Sequence, residues 1–182
     1  MLQLTYIVFS MLLALIMQPA LAAVDGGWDL RFKPRPKLTV SAFGQPVPGG
    51  KVKLPALPAT DSITFSPDAA TPGTGRFTSA YFSGTWQEKN NRLKGTPTQT
   101  VVESLMNEYL QQGSLYGFTF SDGQLIRSKS RMTAKELNNG TLKGTFLHVS
   151  HWKIHVTKPR KMTVPLQVKL LAKFKGTRAA VE

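Results

Sequence analysis

The stretch "VPLQVKLLAKFK", residues 164 to 175, decides the fold class. Every even position in it is apolar, from Val164 to Phe174, and the odd positions include one glutamine and three lysines. An alternation with a period of two is typical of a β-strand that buries one face and exposes the other. The end of the chain therefore predicts an antiparallel sheet with a solvent-facing side that carries cations.

The preceding segment, residues 141 to 156, is rich in β-branched and aromatic residues and predicts the partner strand. A five-residue turn around Pro159 would pair the two strands so that partner numbers add up to 318. Ile154 then lies opposite Val164, and Trp152 lies opposite Leu166. Because the apolar positions of both strands meet on one face, we predict one long hairpin.

The histidines of the chain all lie in "HVSHWKIHV", residues 148 to 156. On a strand that rises about 3.3 Å per residue, His151 and His155 point outward roughly 13 Å apart, too far to share one metal ion. His148 faces the other side. We predict sheet surface here, with no metal site and no cofactor.

Glycine-containing dipeptides predict the other turns. Asp122-Gly123 and Asn139-Gly140 both match the preferred two-residue hairpin turn, and Asn90-Asn91 predicts an earlier one. A two-residue turn at Asn139-Gly140 sets Met132 opposite Leu147, which puts the odd positions of that strand on the inner face. The last hairpin instead puts its even positions on the inner face. Both can hold only if the strand switches faces, so we predict a β-bulge at Val149 or Ser150.

One segment has helical rather than alternating periodicity. Between residues 101 and 112 the apolar side chains recur every three or four positions and the polar ones cover the opposite face. Thr100 with Glu103 matches a capping box, and Gly113 provides a C-terminal stop. The sequence therefore predicts one amphipathic helix packed on the sheet.

These elements predict a mainly β fold: a single antiparallel, strongly bent sheet or barrel-like meander with one helix. The predicted organisation has three parts. Residues 1–22 are a signal peptide. Residues 23–75 are an extended Pro/Gly-rich arm and loops, with strand candidates at Lys51 to Leu54 and Ser62 to Ser66, and residues 76–182 are the β core.

The first 22 residues predict export. They contain no charged side chain, are largely apolar, and end in Ala20-Leu21-Ala22, the small-x-small pattern of a signal-peptidase site. The protein would then be periplasmic or secreted; the alternative is an uncleaved segment that anchors it in a membrane. The chain has no cysteine, which excludes disulfides and thiolate nucleophiles and removes the usual ligands of structural zinc.

The charge of the chain is concentrated near its end. Lys and Arg outnumber Asp and Glu by 23 to 10, a net charge of +13; residues 123 to 182 hold 13 of the cations and only 2 of the acids, which leaves +11 there. Such an excess attracts an anionic partner: a lipid, a glycan or an acidic protein, with no specific nucleic acid expected. The predicted anion-binding face consists of Arg127, Lys129, Arg131, Lys135, Lys153, Lys169, Lys173 and Lys175.

Catalytic motifs are missing from the sequence. It has no GxSxG elbow, P-loop or HExxH, so we predict a protein that is not an enzyme. The alternative to anion binding is a carrier whose sheet curls around a lipid or another hydrophobic molecule, with the helix as a lid. The candidate cavity-lining residues are Phe82, Trp86, Met106, Tyr109, Trp152 and Phe174.

Two short segments carry a resemblance. Gly84-Thr85-Trp86 and "NGTLKGTF", residues 139 to 146, are similar to the Gly-x-Trp strand start and the Gly-Thr-aromatic hairpins of the avidin and lipocalin barrels. The resemblance implies a barrel-like sheet. It extends over about a dozen residues, and no ligand-binding residue is carried over from it.

Overall fold

The computed structural model describes residues 24–46, 57–90, 92–115 and 118–180. The predicted signal peptide and the strand candidate at 51–54 lie outside the described residues. The described elements are β1 Gly26–Phe32, β2 Lys37–Ala42, β3 Gln45–Pro46, β4 Thr60–Pro67, β5 Thr74–Ser79, β6 Phe82–Lys89, β7 Arg92–Thr100, α1 Val101–Gln111, β8 Ser114–Leu115, β9 Phe118–Glu136, β10 Leu142–Lys158 and β11 Met162–Arg178.

The strands form one antiparallel sheet that closes on itself, which confirms the mainly β, barrel-like prediction. Hydrogen bonding runs through β1, β4, β5, β6, β7, β9, β10 and β11, and β11 pairs again with β1. One edge of β11 is shared: residues 174–178 pair with β1, and residues 166–171 pair with β2. The candidate strand at Ser62 to Ser66 is confirmed as part of β4.

The final hairpin has the predicted register. Ile154 lies opposite Val164, Trp152 opposite Leu166, and the pairing continues unbroken to Leu142 opposite Gly176. The even positions of both strands face the barrel interior, where Val168, Leu170 and the neighbouring even residues are buried. The odd positions form the outer wall.

The bulge predicted at Val149 or Ser150 is wrong. The β9–β10 connection is five residues long rather than two, so Phe146, not Leu147, lies opposite Met132. The even positions of β10 then stay on the inner face without a switch. The first register shift occurs instead between His151 and Trp152, where β9 holds the extra residue, and two more follow between His155 and Lys158. The positive φ of Gly140, 71°, confirms the turn itself.

The turn predicted at Asp122-Gly123 is also wrong, because β9 passes straight through it. Gly123 lies opposite Ile154, and a Cβ built on it would come within 2.5 Å of a Leu110 methyl carbon. The glycine therefore allows α1 to pack closely on the sheet rather than reversing the chain. The Asn90-Asn91 hairpin is confirmed by β6 and β7, although Asn91 itself lies outside the described residues.

The helix begins and ends close to its predicted bounds. Gly113 follows it with a φ of 69°, as expected for a C-terminal stop. The capping box is wrong: Thr100 makes no side-chain capping hydrogen bond, and its buried hydroxyl has no partner among the described residues. No helix within the described ranges has the length and apolarity needed to cross a membrane.

Aromatic rings fill the barrel interior. The rings of Phe82 and Phe146 stack with their centroids 4.2 Å apart, and Phe82 also meets Phe77 edge to face. Phe32 packs against Phe174 at the point where β1 closes on β11. Ring contacts at these separations are the close-packed arrangement of a protein core.

Candidate functional site: a basic groove on the outer wall

A row of cations crosses the outer wall where the barrel closes. Lys143 lies directly opposite Lys135 on one side and Lys175 on the other, and Lys175 lies opposite Arg31. Neighbouring strands are about 4.8 Å apart, so the four side chains start from a line about 14 Å long. All four are exposed.

A second row runs parallel to the first, two residues away along the strands. It places Lys94 opposite Thr133, Thr133 opposite Thr145, and Thr145 opposite Lys173. The backbone of Lys33 donates a hydrogen bond to the carbonyl oxygen of Lys173, which brings the segment after β1 to the end of this row. Successive outward residues on one strand are about 6.6 Å apart, so the rows are near neighbours.

Together the two rows border a groove of about 700 Å³, which we call the basic groove. Its cationic lining residues are Arg31, Lys33, Arg92, Lys94, Lys135, Lys143, Lys173 and Lys175. No Asp or Glu is among the lining residues that the structure describes. Cations from five stretches of sequence therefore surround one depression without a neutralising carboxylate.

The nearby acids are engaged elsewhere. Glu136 follows Lys135 but has the opposite parity, and its carboxylate lies 3.7 Å from the guanidinium of Arg178. Asp29, one outward position from Arg31 on β1, accepts a hydrogen bond from the Ser62 hydroxyl at 3.0 Å. Within the described part of the chain, no groove cation forms an ion pair.

This arrangement is unfavourable for the isolated fold. Like charges directly opposite each other on adjacent strands are destabilising, and two unit charges about 5 Å apart repel by about 0.8 kcal/mol even in water. The chain places three such like-charge cross-strand pairs in succession, at Lys135–Lys143, Lys143–Lys175 and Lys175–Arg31. A bound anion would convert this repulsion into attraction.

The predicted anion-binding residues are all exposed, but the structure does not bring them to one place. Lys135, Lys173 and Lys175 line the basic groove. Arg127, Lys129 and Arg131 line a neighbouring depression of about 460 Å³. The remaining two lie elsewhere on the hairpin: Lys169 is opposite Val149, and Lys153 is opposite Pro165 near the far end.

Five groove cations escaped the sequence prediction. The predicted two-residue turn at Asn139-Gly140 implies an inner face for Lys143, whereas Lys143 is exposed on the outer wall. Arg31 and Lys33 belong to a segment predicted as an arm, although the alternation of Trp28, Leu30 and Phe32 is the signal of a strand. Arg92 and Lys94 lie on β7, whose place beside β9 follows from tertiary pairing alone.

The candidate cavity-lining residues lie mostly in the packed core. Phe82, Trp86, Met106, Trp152 and Phe174 are buried, and Tyr109 is half-buried. Phe82 stacks on Phe146, and the indole nitrogen of Trp152 donates a hydrogen bond to the Ser150 hydroxyl at 3.0 Å. Trp86 is held by a hydrogen bond from its indole nitrogen to the carbonyl oxygen of Arg76.

The three histidines divide between the two faces. His151 and His155 lie half-buried on the outer wall, and the His155 Nδ1 is 3.5 Å from a carboxylate oxygen of Asp122. His148 is fully buried, with Nδ1 2.8 Å from the Ser130 hydroxyl oxygen. In the described ranges no three His, Cys, Asp or Glu side chains are grouped closely enough to hold a metal ion.

Burial lowers the pKa of His148, and the charge of Glu103 opposes that shift only in part. The folded protein then binds fewer protons than the unfolded chain below the ordinary histidine pKa of about 6.5, so stability falls as the pH drops through that value. We expect the free energy of unfolding to decrease between about pH 7 and about pH 5.5, by at most about 1.4 kcal/mol per pH unit from this residue.

The measurement is urea denaturation at both pH values for the wild type and for His148→Asn. Asparagine places a polar group near the position of Nδ1, within reach of Ser130, but does not titrate. The variant should lose less stability on acidification than the wild type. Equal losses in both proteins would show that His148 does not cause the pH dependence.

Comparison of the chain with protein-family models, with curated proteins and with solved structures found no match in any of the three. The class of protein is therefore defined by fold and site alone: a closed antiparallel β-barrel with a basic groove on its outer wall.

Proposed function

We propose that this is an exported, non-enzymatic β-domain protein that associates through the basic groove with an anionic partner at the cell envelope or outside the cell. The observation that carries the proposal is the direct cross-strand row Lys135–Lys143–Lys175–Arg31, bordered by four further cations and, within the described ranges, by no acid. Export rests on the pattern of residues 1 to 22.

The chemistry of the groove favours a partner with several closely spaced negative charges. Six of the eight groove cations are lysines, and the other two are Arg31 and Arg92. Lysine ammonium groups act as flexible point charges and suit phosphate, sulfate or carboxylate without a fixed orientation. Repeated anions about 5 to 7 Å apart would match the spacing of the rows.

The packing of the interior supports this proposal over the hydrophobic carrier. A carrier needs apolar space inside the barrel, whereas the buried, stacked rings of Phe82 and Phe146 occupy interior space themselves. The groove, in contrast, is open at the surface and lined by exposed side chains.

A salt titration tests the proposal. Binding of the full chain to inorganic polyphosphate is measured by calorimetry between about 50 and about 300 mM salt. Four phosphate contacts with a logarithmic slope of about 0.8 each predict about a 300-fold loss of affinity over this range. An uncharged dextran serves as the control polymer and should not bind. Salt-independent binding, or no binding at the lowest salt, would contradict the proposal.

A further inference from the structure

Beside the basic groove, the outer wall carries an apolar strip that the anion-binding proposal leaves unused. Leu147 and Val149 on β10 and Leu171 on β11 have odd parity and face outward. Leu171 is 44% exposed, and the other two are half-buried. These outward aliphatic side chains lie on a wall that is rich in exposed cations.

Cations flank this apolar strip on both sides. In one cross-strand row Val149 lies between Lys129 and Lys169. In the next row Leu147 and Leu171 lie between Arg131 on β9 and Lys37 on β2. Apolar side chains thus form the middle of the wall, and cations form both edges.

The strip is continuous with the basic groove. On β9, one outward-facing residue separates Arg131 from Lys135. On β11, one outward-facing residue likewise separates Leu171 from Lys175. Four residues of strand span about 13 Å, so the strip and the nearer groove row are separated by about 7 Å. One flat partner could contact both at once.

We propose that the partner of this wall is the surface of a lipid bilayer that contains anionic lipids, an inference that rests on the proposed function. Leu147, Val149 and Leu171 would enter the boundary between headgroups and acyl chains, while the flanking cations reach the phosphates. Each Lys or Arg near an anionic leaflet adds to the electrostatic attraction. Burial of the apolar side chains adds a contribution to the binding free energy that salt does not screen.

The aliphatic composition of the strip favours a bilayer over other anionic partners. A glycan or nucleic acid is recognised through hydrogen-bonding side chains and aromatic stacking, and the strip offers aliphatic carbon instead. A second copy of this chain would bring two walls of the same sign together, which the net charge of +13 opposes.

The test compares vesicles with a soluble anion. The probes are vesicles of phosphatidylcholine with about a third phosphatidylglycerol, vesicles of phosphatidylcholine alone, and inorganic polyphosphate. The variant is Leu147→Ser with Leu171→Ser, and the control is Met162→Ser, which changes a side chain that is 39% exposed at the start of β11. Circular dichroism checks that each variant is folded.

We expect the double variant to bind the anionic vesicles about tenfold more weakly than the wild type and to bind polyphosphate equally well. Met162→Ser should change neither, and neutral vesicles should bind the wild type far more weakly. Unchanged vesicle binding by the double variant, or wild-type binding to polyphosphate but not to anionic vesicles, would overturn the bilayer inference and leave the groove intact. Failure to bind either anion would overturn the proposed function as well.

Discussion

Replacing Lys135, Lys143 and Lys175 together by serine is expected to weaken polyphosphate binding by about 150-fold. A cation close to an anionic partner contributes about 1 kcal/mol, and three such losses amount to about 3 kcal/mol. Three lost phosphate contacts should also lower the salt slope by about 2.4. Calorimetry across a salt series measures both quantities.

The matched control removes the same number of charges elsewhere. Lys89, Lys158 and Lys161 are exposed and lie outside the lining of the basic groove. Their joint replacement by serine gives the same net charge and should weaken binding by less than about threefold, since only long-range attraction changes. Equal losses in the two triple variants would mean that net charge, rather than the groove, determines binding.

The groove variant carries a second expectation, for stability. Removal of Lys143 and its two neighbours abolishes three like-charge contacts across strands, so the free energy of unfolding should stay the same or rise by about 1 kcal/mol. If these lysines stabilised the fold, their replacement would instead lower the free energy of unfolding. Urea denaturation at low ionic strength measures the change, and a loss of more than about 1 kcal/mol would assign these lysines a structural role.

Phe146→Ala is expected to have the largest effect on stability. Phe146 is fully buried, and its ring stacks on Phe82 at 4.2 Å with an angle of 8° between the ring planes. Its removal leaves a cavity in a close-packed core and should lower the free energy of unfolding by about 3 to 5 kcal/mol. The control Phe43→Ala, at a side chain that is 57% exposed, should change it by less than about 0.5 kcal/mol.

Denaturation of Phe146→Ala also bears on the carrier alternative. If the barrel held a ligand cavity at this position, the ring would line a space rather than fill it, and truncation would cost less than about 1 kcal/mol. A small loss would therefore favour the carrier. A loss in the expected range would support an interior that is occupied by the protein's own side chains.

Periodicity predicted the fold where each strand buries only one face. The alternation from Val164 to Phe174 gave the correct inner face, and the turn around Pro159 gave the correct register for the whole hairpin. Both follow from local rules, since side-chain parity and turn length together determine which residues meet. The helix was predictable for the same reason, because its apolar positions follow a period of 3.6.

The wrong predictions arose where one local sequence signal is compatible with two different structures. Asn139-Gly140 lies in a five-residue connection rather than a two-residue turn, and the length of this connection determines which face of the sheet Lys143 occupies. Gly123 provides room for Leu110 within a strand instead of a turn. In each case tertiary packing selected the alternative, and nothing within a few residues of the glycine distinguishes the two.

The basic groove was only partly predictable because it is assembled from distant segments. Lys135 and Lys175 could be assigned to an outer face by parity, but their cross-strand contact with Lys143 required the correct loop length. Arg31 joins the row only because β11 pairs with β1 to close the barrel. Sequence alone does not specify that closure, since a meander with the same periodicity can also remain open.

The most direct test of the basic groove is the mapping of backbone amide chemical shifts by NMR as polyphosphate is added. We expect the largest shifts on four neighbouring strands, around Lys135 on β9, Lys143 on β10, Lys175 on β11 and Arg31 on β1. Shifts that are spread evenly over the exposed lysines, or that are largest at the turn between β10 and β11, would contradict it.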